Sequence, residues 1–185
     1  LAGALVALVA GWCSDARADG PTKSASILPD IPGVTTKGGW TGFGVGVYGS
    51  LINADTDTTP SLGLTGQSAG GTISGSLQVG SMVFDVFGTY GAMFGDLKDL
   101  GVDTEMSLGG RACVLATQQT AFCAVGAKLW LDTDAGNING WQYGGAVKFR
   151  PLNSPIELAL EVLHSEYDTA SVLGVDTTSD SVRAV

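Results

Sequence analysis

The sequence predicts an all-β protein: an eight-stranded antiparallel up-and-down transmembrane β-barrel, with its last strand truncated in this chain. Two observations carry this. Eight candidate strands, near 40–52, 70–79, 82–93, 104–115, 121–131, 141–150, 156–166 and 180–185, are joined by connections that alternate strictly between long and short. The long gaps are 53–69, 94–103, 132–140 and 167–179; the short ones are Gly80-Ser81, Ala116–Thr120 and Pro151–Pro155. Long loops at one end and tight turns at the other describe a barrel whose two ends meet different surroundings. Alternating side chains on the strands, apolar on one face and small or polar on the other, are the second observation.

In the first strand Phe43, Val45, Val47 and Leu51 share a face with Gly49, opposite Gly42, Gly44, Gly46, Tyr48 and Ser50. Strand three is mixed, with Val83, Asp85 and Phe87 on one face and Phe84, Val86 and Tyr90 on the other. The fourth sets Met106, Leu108, Ala112 and Val114 against Glu105, Ser107 and Arg111. In the fifth, Cys123, Val125 and Leu129 form the apolar side. The sixth sets Tyr143, Val147 and Phe149 against Gln142, Lys148 and Arg150; the seventh sets Ile156, Leu158, Leu160 and Val162 against Glu157 and Glu161. The mid-strand charges Glu105, Arg111, Lys128, Lys148, Glu157, Glu161 and Arg183 are nearly balanced and form a candidate lumen network. A soluble sandwich, apolar side in, shows the same alternation.

Three further features weigh against the sandwich. Leu1–Cys13 is an apolar run followed by Ala16-Arg17-Ala18, the pattern of a secretory signal peptide cut after Ala18. It is shorter than the ~20 residues a spanning helix needs, and no later segment approaches that length, so any crossing is by strands. Lipid attachment at Cys13 is disfavoured by Trp12, where a small residue is wanted. The 28 glycines among 185 residues are about twice the usual share and suit strongly curved strands. The net charge is −9, with Asp55, Asp57, Asp96, Asp99, Asp103, Asp132, Asp134, Asp168 and Asp176 in the long gaps and no charge in Gly80-Ser81 or Ala116–Thr120. Such loops exclude a nucleic-acid footprint, which is basic. No cofactor signature or metal spacing is present; Asp132-Thr133-Asp134 only echoes a calcium loop. The organisation read from this is a signal peptide over 1–18, a disordered lead-in over 19–39 and a barrel over 40–185.

Cys113 and Cys123 flank a short turn, and a ladder centred on Gln118 sets them opposite each other. Face parity disagrees: Cys113 lies with Arg111, Cys123 with the apolar side of its strand. A one-residue bulge would reconcile them, so a bridge and two free thiols both stay open. Trp40, Phe43, Tyr90, Phe94, Trp130, Trp141, Tyr143, Phe149 and Tyr167 fall mainly near strand ends, as interfacial girdles do.

Residues 38–50, Gly-Gly-Trp-Thr-Gly-Phe-Gly-Val-Gly-Val-Tyr-Gly-Ser, resemble the opening strand of the opacity-type (porin-like) outer-membrane β-barrel family. Gly70-Gly71 with Gly75 and Met82-Val83-Phe84 resemble its second hairpin. Gly140-Trp141 with Gly144-Gly145, Leu160-Glu161-Val162 ahead of His164 and Tyr167, and Ser181-Val182-Arg183 resemble strands six, seven and eight. The resemblance implies a structural, surface-exposed barrel in the outer membrane of a Gram-negative bacterium, adhesive or weakly pore-forming, with no shared catalytic residues. Its implied partners are outer-membrane lipid, lipopolysaccharide and the barrel-assembly machinery, with any host or surface ligand unnamed. Family members usually end on an aromatic residue; this chain stops at Val185 and lacks an initiating Met, so the intact protein is expected to extend further. Two competitors remain. A lipid A-modifying enzyme would need the lone His164 to meet Ser165, which points to the opposite face of its strand. A secreted lipocalin-like binder would turn its apolar face inward around a ligand.

Overall fold

The computed structural model describes residues 39–56, 63–134, 136–152, 154–168 and 177–185. Eight antiparallel strands close into one barrel in the order β1-β2-β3-β4-β5-β6-β7-β8. They are β1 (Gly42–Thr56), β2 (Gly63–Val79), β3 (Met82–Gly95), β4 (Val102–Leu115), β5 (Thr120–Thr133), β6 (Gly136–Phe149), β7 (Leu158–Tyr167) and β8 (Thr177–Ala184); one helical turn, α1 (Asp96–Asp99), joins β3 to β4. Within these bounds no helix is long and apolar enough to cross a membrane. The regions assigned to signal peptide and lead-in, residues 1–38, lie outside the described residues.

The strands run further than hydropathy indicated. β2 begins at Gly63 rather than residue 70, and β6 at Gly136 rather than 141. Asp55, Asp103 and Asp132, expected in loops, belong to β1, β4 and β5. Ladder hydrogen bonds propagate through polar residues as readily as apolar ones once the register is set. The apolar pattern therefore marks a band on each strand, not its ends.

The barrel is steeply sheared. A row of paired residues starts at Phe43, runs through Gly75, Val86, Gly110, Gly126, Tyr143, His164 and Asp180, and returns to β1 at Asn53. That is a displacement of ten residues on β1, matching strands tilted ~40° to the axis.

Side chains are sorted inversely to a water-soluble barrel. Phe43 is 100% exposed and Val45 87%, while Arg183 and Lys148 are each 1% exposed and Glu161 0%. Every strand contributes: Ile73, Val86, Leu108, Phe122, Val147, Val162 and Val182 point outward. Near the turn end, Phe43, Phe84, Phe122 and Phe149 lie on the outward rows of their strands, Met82 preceding Phe84 on β3. At the other end Phe94, Trp130 and Trp141 occupy outward positions, with Tyr90 and Tyr143 a step further in.

Two aromatics depart from the girdle expected above. Trp40, just ahead of β1, is folded into the interior and 2% exposed. Tyr167 also faces inward, its hydroxyl 2.9 Å from Ser179 Oγ. A Trp or Tyr at a strand end carries no parity mark of its own.

Candidate functional site

The interior of an eight-stranded barrel is just wide enough for side chains to fill it. Here the filling is arranged in levels. At the turn end Trp40 forms a floor: its backbone N–H donates to Gln78 Oε1 at 2.8 Å and its indole Nε1–H to the Gln118 carbonyl at 3.3 Å. Lys148 Nζ and Arg150 Cζ sit 5.2 and 4.8 Å from its ring centre. Val83, Phe87, Ala121, Cys113 and Cys123 complete this apolar level.

Above and beside the floor runs an alternating chain of charges. Arg150 donates to Glu157 at 2.7 Å, and Lys148 Nζ lies 2.6 Å from both Glu157 Oε1 and Asp85 Oδ2. Arg111 is 4.0 Å from Asp85 and grips Glu161 Oε1 through Nε at 2.7 Å and NH2 at 2.6 Å. Its guanidinium stacks 3.8 Å from the Phe87 ring centre. Arg183 follows, 3.8 Å from Glu161 and 3.5 Å from Glu105. The order of sign is Arg150, Glu157, Lys148, Asp85, Arg111, Glu161, Arg183, Glu105, with four bases facing four acids. A buried charge is tolerated only when paired, and here the members from Lys148 to Glu105 that lie deepest share their partners.

Glu105 ends the chain under a layer of hydroxyls. It accepts hydrogen bonds from Tyr48 at 2.8 Å and Ser68 at 2.7 Å. Tyr48 and Glu105 are separated on one cross-strand row by Gly70 and Gly91. A Cβ at Gly91 would collide with the Tyr48 hydroxyl, so glycine there lets the phenol reach across two strands. Ser50–Ser68 and Thr89–Ser107, both 2.6 Å, and Gln142–Ser165 at 3.2 Å continue the layer.

Six of the seven charges singled out from sequence, Glu105, Arg111, Lys148, Glu157, Glu161 and Arg183, lie in this chain; Glu157 sits at its half-exposed rim. Lys128 does not. It lies on the outward face of β5, 3.5 Å from Asp168 and 4.9 Å from the Trp141 ring centre. β5 turns its apolar residues Val125, Ala127 and Leu129 inward and Phe122, Trp130 and Lys128 outward, so Lys128 was assigned to the wrong side. Asp85 and Arg150 were missed: Asp85 is flanked on its own face by Val83 and Phe87, which hid its orientation.

The same inversion of β5 settles the cysteine parity. Cys113 and Cys123 are direct ladder partners, both inward, and form a disulfide across ten residues. No bulge intervenes near the turn; the register irregularity in this pair lies at Val102/Thr104. Replacing both with Ser is expected to cost about 2–3 kcal/mol for a loop of this size, read as a lower urea midpoint. Without reductant neither thiol should take up iodoacetamide, whereas two alkylated residues would reject the bridge.

His164 points outward, its Nδ1 2.7 Å from Asp180, whereas Ser165 points inward and is 1% exposed. Opposite faces keep hydroxyl and imidazole apart. Among the described residues no group of three or more His, Cys, Asp or Glu side chains could hold a metal ion.

No family model matches the chain. No curated protein matches it either. Among solved structures it is similar to Neisserial surface protein A, with a TM-score of 0.43 and 16% identity over 77% of this chain and 96% of that one.

Proposed function

We propose that the chain is an outer-membrane barrel of the opacity type in a Gram-negative bacterium. It acts as a structural surface protein through its loop end rather than as an enzyme or an open pore. The observation that supports this is the reversed polarity of the wall. From Phe43 to Leu51 the outward row of β1 is apolar, eight residue rises or ~20 Å along the axis at the usual tilt, with Asn53 following at its end. That approaches the apolar band of transmembrane barrels, ~25 Å. In water so large an apolar girdle would be an aggregation site.

Eight crossings return the chain to its starting side, so the turn end faces the periplasm and the long connections face outward. Asp96, Asp99, Asp134 and Asp168 give that outer end its acidic character. Lipopolysaccharide and membrane lipid are the wall's partners, and the barrel-assembly machinery its insertion partner. An adhesive role for the acidic end fits better than transport. Trp40 and the charge chain fill the lumen, so planar-bilayer recordings should show no large, steady currents. Trp40→Ala alone should not produce them, because the Arg111–Glu161–Arg183 level remains. The deciding experiment is cell fractionation combined with heat-modifiable gel mobility. Outer-membrane recovery with a compact unboiled band supports the reading, and recovery in the periplasm overturns it.

A further inference from the structure

The stretch of wall free of ionisable side chains is not equally tall all round. Counting outward positions from the turn end, β1 (Phe43 to Asn53), β3 (Phe84 to Phe94) and β4 (Val114 to Thr104) run ten residues with no ionisable side chain except the phenol of Tyr90. On β5 the count from Phe122 reaches Lys128 after six residues, and on β7 that from Leu158 reaches His164 after six. At ~2.5 Å of axial rise per residue for strands tilted ~40°, that stretch stands ~25 Å on one side and ~15 Å on the other. Because the barrel is sheared, the starting residues lie within a residue or two of one level, so the difference is at the loop end.

The groups that interrupt the band adjoin one another. Tyr143, His164 and Asp180 occupy one cross-strand row, and Lys128, Trp141 and Glu166 the next. Tyr143 donates to Glu166 at 2.7 Å, its ring lies 5.3 Å from that of His164, and His164 holds Asp180. All of these face away from the lumen. Ionisable groups facing acyl chains are costly unless polar partners reach them.

Resting on the membrane reading above, we propose that this notch over β5–β8 seats the sugar headgroup of an outer-leaflet glycolipid, drawn down beside the wall. Three carboxylates, Glu166, Asp168 and Asp180, outnumber the one fixed cation, Lys128, so a bare phosphate headgroup is repelled. Carboxylates accept hydrogen bonds from sugar hydroxyls, and such charge-assisted bonds are the strong ones. Trp141 is 58% exposed and Tyr143 46%, giving flat amphipathic rings against which a pyranose can lie.

The test uses the full chain folded into phosphatidylcholine vesicles carrying equal minor shares of glucosyl diacylglycerol and phosphatidylglycerol. The barrel is then released in mild detergent and weighed with its retained lipid by native mass spectrometry. About tenfold preference for the glucosyl lipid is expected, the worth of one charge-assisted hydrogen bond. The triple variant E166Q/D168N/D180N, which takes away the charged acceptors, should lose that preference while keeping its heat-modifiable mobility. Equal retention of the two lipids by the native chain, preference for phosphatidylglycerol, or unchanged preference in a folded triple variant would each overturn the notch. If the variant does not fold, the native chain's preference decides alone. Failure of the native chain to insert into vesicles at all would instead remove the membrane reading, and the notch with it.

Discussion

Replacing Glu161 with Leu is expected to lower the unfolding free energy by about 3–5 kcal/mol, the cost of stripping one partner from a buried pair. Glu161 is 0% exposed and stands between Arg111 and Arg183. Without it, among the described residues, the acid left to Arg111 is Asp85, at 4.0 Å, and that left to Arg183 is Glu105, at 3.5 Å. Neither distance makes a short hydrogen bond, so two guanidiniums would be left buried and poorly compensated. Leu adds apolar volume but no acceptor. Urea titration of vesicle-folded protein, followed by tryptophan fluorescence, measures the loss. A second change, Arg111→Met in the Glu161→Leu background, should recover part of it by removing one orphaned charge. Lys128→Met, outside the lumen and against the exposed partner Asp168, should shift stability by no more than about 1 kcal/mol. If Glu161→Leu proved neutral, the charge chain would not be a source of the barrel's stability.

Introducing Arg at Leu108 is expected to destabilise the folded barrel by about 2–4 kcal/mol in a bilayer, as for a cation at mid-depth on a lipid-facing position. Leu108 lies near the middle of the outward row of β4 between Val114 and Thr104, and is 57% exposed. The prediction separates the membrane reading from its soluble competitors. An exposed leucine on a water-soluble surface would accept Arg with a change within about 0.5 kcal/mol. The measurement is the urea midpoint in vesicles. A neutral result would place this wall in water.

Some faces were legible because one pattern dominates each strand. On β1, β4, β6 and β7 the outward positions hold mostly Phe, Val, Leu or Met and the inward ones mostly Gly, Ser, Gln or charge, with Ile52, Cys113 and Leu163 as inward exceptions, so the ladder had one sensible orientation. β5 was not legible. Its inward Cys123, Val125, Ala127 and Leu129 and its outward Phe122, Ala124, Gly126 and Trp130 are all small or apolar, and hydropathy cannot choose between them. From that one ambiguity came both the misplaced Lys128 and the bulge invoked for Cys123. β3 hid Asp85 in the same way.

The amino-acid order by itself determined the number of strands, the alternation of connections and the sign of most faces, since these follow from period-two patterning along a single segment. Only the closed barrel decided which side β5 turns inward, where Trp40 packs, and how the charges link into one alternating chain. Those outcomes depend on register and shear. Both place side chains from distant strands at one level, and neither is written in any strand taken alone.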